Sequence, residues 1–296
     1  MKNYLLIVNP ISGRMKINRY IDDIVNIFTE KDIMTTIIKT NYAGEAKEIA
    51  YKNASKYDAI ICAGGDGTYN ETISGIIESK EDILVGYIPC GSTNDFAYSL
   101  GLPKDYIESA KLIAAGNYTY FDVGLFNDRV FSYVASCGAF TEASYDTPQK
   151  LKNAVGHLAY VLNGATKLNT IKPINLKVVV DNRDEYEGEY IFCSVSNSKS
   201  LAGLVKLKSK DIDLSDGKLE LTLVKKPKDV LEFNKILKML SSHKIDDTSL
   251  ITFLKGENFM ISAPKECDWT LDGECEKGAT NIDIAVVHNA IKLLSK

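Results

Sequence analysis

The residues with the strongest chemical signal are 64–68, which read Gly-Gly-Asp-Gly-Thr. They directly follow an apolar, strand-like segment and directly precede a helical pattern. Glycines in such a turn allow positive φ angles and a close approach of phosphate to the backbone. The N-terminus of the following helix attracts anions through its free N–H groups. Asp66 can hold a cation or the nucleotide, and Thr68 can cap the helix or contact phosphate. The alternative is a tight turn without a ligand, and the spacing matches neither the P-loop nor the dinucleotide-binding fingerprint.

Two further polar turns also follow apolar segments. Residues 89–97 contain Gly91-Ser92-Thr93-Asn94-Asp95 before a helical pattern, and residues 9–13 read Asn-Pro-Ile-Ser-Gly. In an open parallel sheet the carboxyl ends of the strands lie at one edge, where ligands bind. We therefore expect the three turns to lie close together. Taken singly, residues 89–97 fit a capped helix start equally well, with Thr93 or Asn94 as N-cap, and residues 9–13 favour a plain turn.

A fourth candidate lies far along the chain, where residues 268–274 read Asp-Trp-Thr-Leu-Asp-Gly-Glu between two β-patterned stretches. From this position Glu274 could reach a cleft between the two parts of the chain from the opposite side. The chain has three histidines and none lies in a motif, so a carboxylate base is favoured over a histidine. The spacing alone favours a simpler interpretation, which is a hairpin turn at Asp272-Gly273 with a solvated glutamate.

The elements that must position these residues fall into two groups. Up to about residue 125, strand-like segments alternate with helical spacing, which is typical of βαβ units and a parallel sheet. The later segments are mostly β-patterned and separated by turn signals, which predicts antiparallel strands in a sandwich or barrel. Two helices, near 151–162 and 230–240, interrupt them.

We predict an α/β fold with two domains. The first is a parallel-sheet, nucleotide-binding α/β domain over 1–122, and the second is a β-rich sandwich domain over 123–287. The tail, about 288–296, is expected to pack back on the first domain. Ligand pockets favour domain interfaces, so we expect the site in a cleft between the two.

Composition excludes some classes of protein. The 296 residues carry a formal net charge of −4, whereas a nucleic-acid-binding protein is usually basic. The six cysteines show no zinc or redox spacing, and Cys62 and Cys193 are expected to be buried thiols. No apolar run approaches the roughly 20 residues that span a bilayer. We expect a cytoplasmic protein whose membrane contact is peripheral, at the inner membrane face.

The four motifs together resemble the diacylglycerol kinase catalytic-domain family, in particular the bacterial lipid kinases related to sphingosine kinases. They occur in order from residue 9 to residue 274, so the resemblance covers nearly the whole chain. It implies transfer of the γ-phosphate of ATP to a lipid hydroxyl, with diacylglycerol as the leading candidate for the acceptor. Phosphoryl transfer depends mainly on positioning and charge neutralisation, which the glycine turn and Mg²⁺ would supply.

The resemblance also implies roles for individual residues. Glu274 would be the base, and Asp66 and Asp95 would organise Mg²⁺ and water at the phosphates. A structural Mg²⁺ would be held by Asp216, with backbone carbonyls near Asp213 and Lys218. Ser92 stands where the family more often has threonine, and its hydroxyl is retained. The ATP-binding set would comprise Asn9, Thr40, Gly64, Gly65, Asp66, Gly67, Thr68, Asn70, Ser92 and Asn94.

Alternatives remain open on the sequence alone. An NAD kinase shares a Gly-Gly-Asp-Gly turn, and a non-catalytic nucleotide or lipid sensor could use the same fold. Residues 199–228 contain eight lysines and four acids, which can favour anionic lipid, although a solvated face is the simpler interpretation. The identity of the lipid is open, and a homodimer through an exposed sheet edge is a further hypothesis.

Overall fold

The computed structural model of the protein comprises two compact units. The first comprises residues 1–122 with 289–296, and the second comprises residues 123–288. None of the described helices combines the length and apolar character needed to cross a bilayer. The described residues are 1–91, 94–138, 172–198, 200–201, 205–206, 213–241 and 248–296.

The first unit is built on a parallel sheet with strand order β2-β1-β3-β4-β17. Residues 4–8 of the first strand are fully buried, as expected for a central parallel strand that is covered on both faces. Because β1 lies between β2 and β3, the strand order reverses at β1. The strands are β1 (Lys2–Val8), β2 (Ile33–Lys39), β3 (Ala59–Gly64), β4 (Leu84–Pro89) and the end of β17 (Asn281–Leu294).

Helices follow these strands in the α/β order that the sequence predicts. On the first helix, Ile21, Ile24 and Phe28 are buried at helical spacing and join the core under the sheet. Two 3₁₀ segments, Ser12–Arg19 and Ala54–Lys56, accompany the helices. The helices are α1 (Ile21–Thr29), α2 (Glu45–Asn53), α3 (Asp66–Ser79), α4 (Asp95–Ser99) and α5 (Tyr106–Ala115).

The second unit is dominated by antiparallel strands, in the order β16-β15-β7-β9-β8-β14-β17, with β12 pairing β9 and β13, and β5 pairing β6 and β17. It contains one described helix, α6 (Val230–Ser241). The strands are β5 (Tyr118–Phe126), β6 (Arg129–Phe131), β7 (Val134–Gly138), β8 (Ile174–Val180), β9 (Asp184–Ser196), β10 (Ser200–Leu201), β11 (Val205–Lys206), β12 (Leu219–Lys225), β13 (Ile251–Gly256), β14 (Asn258–Ser262), β15 (Trp269–Leu271) and β16 (Glu274–Glu276).

The predicted fold class is confirmed, because a parallel α/β region is followed by a β-rich one. The prediction of buried thiols at Cys62 and Cys193 is also confirmed. Residues 130–137 have a β pattern throughout, which predicts one continuous strand, and this prediction was wrong because the segment forms two strands. The backbone bends at Ser132-Tyr133, where its N–H groups turn to a buried carboxylate instead of a neighbouring strand. The helix predicted near 151–162 lies outside the described residues.

Candidate functional site

The turns after β1, β3 and β4 meet at one edge of the parallel sheet. The Asn9 N–H donates to the Ala63 carbonyl at 2.9 Å, and the Cys90 N–H donates to the Gly64 carbonyl at 2.7 Å. A Cβ atom added to Gly91 would lie 2.8 Å from Gly65 Cα. This separation is too short for a side chain at residue 91, so the last two turns approach this closely because residue 91 is glycine. The structure therefore brings the three polar turns together.

Asn9 joins the first turn to the glycine turn. Its Nδ2 donates to Thr68 Oγ1 at 2.9 Å, and its Oδ1 accepts from the Ile11 N–H at 3.2 Å. Thr40 lies at the same sheet edge, on the other side of β1, because its N–H donates to the Val8 carbonyl at 2.9 Å. These residues surround the point where the strand order reverses, which is where open α/β sheets bind ligands.

Helix α3 begins at Asp66, inside the glycine turn. Its N-cap is Gly65, so Thr68 lies inside the first turn and does not cap the helix. A glycine N-cap has no side chain that could accept from the first N–H groups of the helix, and a helix start of this kind suits an anion. Gly67 and Asn70 follow in the first turns of this 14-residue helix.

Asp66 is oriented by a tyrosine that no sequence motif indicated. The Tyr87 hydroxyl donates to Asp66 Oδ1 at 3.3 Å. Tyr87 is buried, and burial followed by the negative charge of Asp66 raises its pKa well above the ordinary value. Tyr87 therefore acts as a hydrogen-bond donor to this carboxylate over the whole physiological pH range. Tyr87 lies within β4, and its position in the apolar sequence pattern indicates only an ordinary core residue of a strand.

The turn after β4 is held by its own asparagine. Asn94 Oδ1 accepts from the Gly91 N–H, and Asn94 Nδ2 donates to the Gly91 carbonyl, both at 2.8 Å. Asn94 is the N-cap of α4 in a left-handed conformation with φ 51°, which asparagine tolerates better than most residues. Ser92 lies outside the described residues. The backbone of Asp95 begins α4, and its side chain is not among the described ones.

In the second unit, the predicted hairpin turn at Asp272-Gly273 is confirmed. Leu271 pairs with Glu274, and the two turn residues have φ angles of 50° and 90°, as a type I′ turn requires. Asp272 is buried, which the sequence did not indicate. Its Oδ1 accepts from the N–H groups of Tyr133 and Val134 at 3.0 Å, and its Oδ2 accepts from the Ser132 N–H at 2.5 Å. Burial raises the pKa of Asp272, and these hydrogen bonds oppose the shift.

Glu274 is the first residue after this anchored turn. Its side chain is 54% exposed, but it is ion-paired and not simply solvated. Arg129 Nη2 lies 2.5 Å from Glu274 Oε2, and Arg129 Nη1 lies 2.6 Å from Glu276 Oε2. The arginine is 145 residues away in sequence and follows a turn, so no local motif could have identified it.

The predicted metal-binding residues lie in the turn before β12. Asp213 Oδ1 accepts from the Ser215 N–H and hydroxyl at 3.0 and 2.9 Å. Asp216 Oδ1 accepts from the Lys218 N–H at 3.1 Å, and its Oδ2 is 2.6 Å from Lys255 Nζ. Within the described ranges no cluster of three or more acidic, histidine or cysteine side chains is positioned to hold a metal ion.

A buried carboxylate lies beside this turn. Glu220 is fully buried, neither of its oxygens has a hydrogen-bond partner in the described part of the chain, and Lys255 Nζ is 3.5 Å from its Oε1. Burial raises the pKa of Glu220 to about 8, despite the nearby Lys255 ammonium. Lys255 contacts both Asp216 and Glu220, and the carboxylate oxygens of these two residues are ligands of the type that a hard cation such as Mg²⁺ prefers.

Comparison with known proteins agrees with this arrangement. Residues 3–126 match the diacylglycerol kinase catalytic domain, and residues 135–295 match the YegS C-terminal NAD kinase beta sandwich-like domain. A diacylglycerol kinase of Bacillus subtilis (strain 168) is 33% identical over 93% of this chain and 90% of its own length. This chain belongs to the diacylglycerol kinase family.

A second curated relative supports the family assignment, and a solved structure shares the fold. A diacylglycerol kinase of Staphylococcus aureus (strain MRSA252) is 32% identical over 92% of this chain and 86% of its own length. A crystal structure of a diacylglycerol kinase from Bacillus anthracis str. Sterne has the same fold, with a TM-score of 0.76 at 22% identity over 100% of this chain and 97% of that one. The first family match contains the three polar turns, and the second contains Glu274 and the turn before β12.

Proposed function

We propose that this chain is an ATP-dependent lipid kinase that transfers the γ-phosphate of ATP to the hydroxyl group of diacylglycerol, giving phosphatidic acid. The observation that carries the proposal is the meeting of three polar turns around the glycine-capped start of α3. The names of the curated relatives support the choice of a lipid acceptor.

In this proposal the first unit binds the nucleotide. The backbone of Gly64–Asn70 would hold the phosphates, since glycine allows close approach and the helix start offers N–H groups. Asn9 and Asn94 would support the two flanking turns through the hydrogen bonds described above. Thr40 and Ser92 would supply hydroxyl groups.

Asp66 and Asp95 would hold Mg²⁺, which neutralises charge on the phosphates when bound. Asp66 is suited to this role because the Tyr87 hydroxyl orients one of its oxygens at the start of α3. A second, structural Mg²⁺ would be held by Asp216, with the carbonyls near Asp213 and Lys218. Oxygen ligands of this kind are those that magnesium prefers.

Glu274 would serve as the general base. The lipid oxygen forms a bond to the γ-phosphorus, the bond from phosphorus to the β–γ bridging oxygen breaks, and ADP leaves. The proton of the lipid hydroxyl passes to the Glu274 carboxylate. A strong base is not required because the transition state is loose, and orientation of the hydroxyl contributes most of the effect.

The experiment is transfer of labelled γ-phosphate from ATP with Mg²⁺ into mixed micelles of diacylglycerol and anionic phospholipid. We expect labelled phosphatidic acid from the wild type and none from Asp66→Ala. Glu274→Gln should lose most of kcat with the KM for ATP nearly unchanged. Asp23→Asn on α1 and Glu266→Gln in the second unit, both exposed, are the matched controls.

Parallel reactions separate the remaining alternatives. Labelled NADP formed from NAD, without labelled lipid, would favour an NAD kinase. ATP binding without transfer to any acceptor would favour a sensor. Full turnover by Glu274→Gln would remove this residue from the mechanism while leaving the lipid kinase proposal intact.

The lipid substrate requires a membrane surface, and we propose peripheral contact. Lys218, Lys225, Lys226 and Lys228 are exposed, and they belong to the lysine-rich stretch whose remaining members lie partly outside the described residues. Binding to anionic vesicles that weakens with salt would support this contact. Vesicle binding that depends neither on salt concentration nor on the content of anionic lipid would refute this contact.

A further inference from the structure

The contacts of Glu274 involve a residue that lies in neither family match. Arg129 falls between residues 126 and 135, where the two matched segments end and begin. We propose that Arg129 is a positioning residue that holds the Glu274 carboxylate in its reactive orientation, with Glu276 as a permanent second anchor. The inference rests on the proposed role of Glu274 as base.

The guanidinium group of Arg129 contacts two carboxylates, each through a different nitrogen. Nη2 contacts Glu274 Oε2 at 2.5 Å, and Nη1 contacts Glu276 Oε2 at 2.6 Å. Residues two apart on a strand project to the same side, so both glutamates of β16 face the arginine together. The planar guanidinium of an arginine has several donors in fixed positions and can bind both carboxylates at once, whereas the ammonium of a lysine is a single point charge.

The ion pairs orient the side chains more than they stabilise the fold. The side chains of Arg129, Glu274 and Glu276 are 38%, 54% and 31% exposed, and ion pairs at this exposure contribute at most about 1 kcal/mol. An ion pair that contributes much to the stability of a fold is expected to be buried. An exposed fork beside an anchored turn, in contrast, restricts the rotamer of a side chain that must still meet a substrate.

The contact pattern also assigns the two oxygens of Glu274. Arg129 contacts Oε2, and within the described part of the chain Oε1 has no hydrogen bond or ion pair. Oε1 is therefore the oxygen that accepts the proton of the lipid hydroxyl. When Glu274 becomes neutral, its attraction for the guanidinium weakens. Glu276 still holds Arg129 at 2.6 Å, so the fork stays in place for the next turnover.

The test is a double-mutant cycle with lipid phosphorylation in diacylglycerol mixed micelles. We expect Arg129→Met to lower kcat by about 10- to 100-fold, as a displaced catalytic group does, with an unchanged KM for ATP. Arg129→Lys should retain an intermediate kcat, and added guanidinium ion should partly restore Arg129→Met. The double variant Arg129→Met/Glu274→Gln should be no slower than Glu274→Gln alone, because residues that act as a unit are not additive.

A matched control removes a similar surface ion pair elsewhere in the second unit. Lys177 contacts Glu185 at 2.8 Å with comparable exposure, so Lys177→Met should leave kcat unchanged. Multiplicative losses in the double variant, or failure of guanidinium to restore any activity, would overturn the inference. Normal turnover by Arg129→Met beside an inactive Glu274→Gln would overturn it while sparing the proposed function. A wild type that phosphorylates no lipid would overturn both.

Discussion

The buried carboxylate of Asp272 anchors the hairpin that carries Glu274, and Asp272→Asn tests this anchor with minimal change. Asparagine has the same size and tolerates the left-handed conformation at φ 50°. Its single side-chain oxygen can still accept from the N–H groups of Tyr133 and Val134. Its amide group would then face the Ser132 N–H, so two donors would meet where a carboxylate oxygen now accepts at 2.5 Å.

The magnitude follows from the hydrogen bonds that change. A buried N–H without an acceptor costs about 1–3 kcal/mol, and the two remaining bonds weaken from charged to neutral type by about 1 kcal/mol. Relief of the buried negative charge, whose desolvation raises the pKa of Asp272, offsets part of this cost. We expect Asp272→Asn to lower the free energy of unfolding of the second unit by about 2–4 kcal/mol.

The chain contains its own probe for this measurement. Trp269 is the single tryptophan, it is fully buried in β15, and it lies three residues before Asp272. Urea unfolding followed by its fluorescence reports on the second unit. Activity should also fall, because the position of Glu274 depends on the turn.

The matched control is Asp181→Asn. Asp181 also has a positive φ of 50° and also accepts two backbone N–H groups, from Glu257 at 2.9 Å and Asn258 at 2.8 Å. Both bonds use one oxygen, Oδ1, which asparagine can replace, so this variant should cost less than about 1 kcal/mol. If the two variants lowered the free energy of unfolding equally, the Ser132 N–H, which faces the new amide group only in Asp272→Asn, could not be the cause of the loss.

Three further predictions concern stability. The pKa of Glu220 is raised to about 8, so between about pH 4.5 and 8 the folded state keeps a proton that the unfolded state has lost. The free energy of unfolding should therefore fall by up to about 1.4 kcal/mol per pH unit in this range. Glu220→Gln should remove this loss, measured by urea unfolding with EDTA at pH 5, 7 and 9. A Cβ atom on Gly75 would lie 2.2 Å from the Lys47 carbonyl, so Gly75→Ala should separate α2 from α3 and cost about 1–3 kcal/mol by thermal unfolding. The Asp105 side chain accepts from the N–H groups of Ile107 and Glu108 at 3.0 Å as the N-cap of α5, so Asp105→Ala should cost about 1 kcal/mol, and Asp105→Ser less.

Each of these has a result that would contradict it. A stability difference between Glu220→Gln and wild type that is constant with pH would show that Glu220 titrates alike in both states. A Gly75→Ala protein as stable as wild type would mean that the two helices can move apart without cost. Equal losses from Asp105→Ala and Asp105→Ser would exclude the capping hydrogen bonds as the cause.

Much of the fold and part of the site could be predicted from local sequence. Continuous apolar strands alternating with helices indicate a parallel sheet, and parallel strands place their carboxyl ends at one edge, so the sequence predicts residues 9, 65 and 91 at that edge. The turn at Asp272-Gly273 follows from two residues that adopt positive φ readily. These features depend on backbone preferences and periodicity over a few residues, which the sequence displays directly.

The partners of the functional side chains were decided only by tertiary structure. Arg129 meets Glu274 across 145 residues, and Asp272 meets the Ser132 N–H across 140. Tyr87 reaches Asp66 from the neighbouring strand, and Lys255 lies between Asp216 and Glu220. An alternating pattern shows which face of a strand is buried, but it does not specify which strand pairs with it or in what register. Those choices depend on the packing of the whole sheet, and they determine which distant charges and hydrogen-bonding groups come within reach of one another.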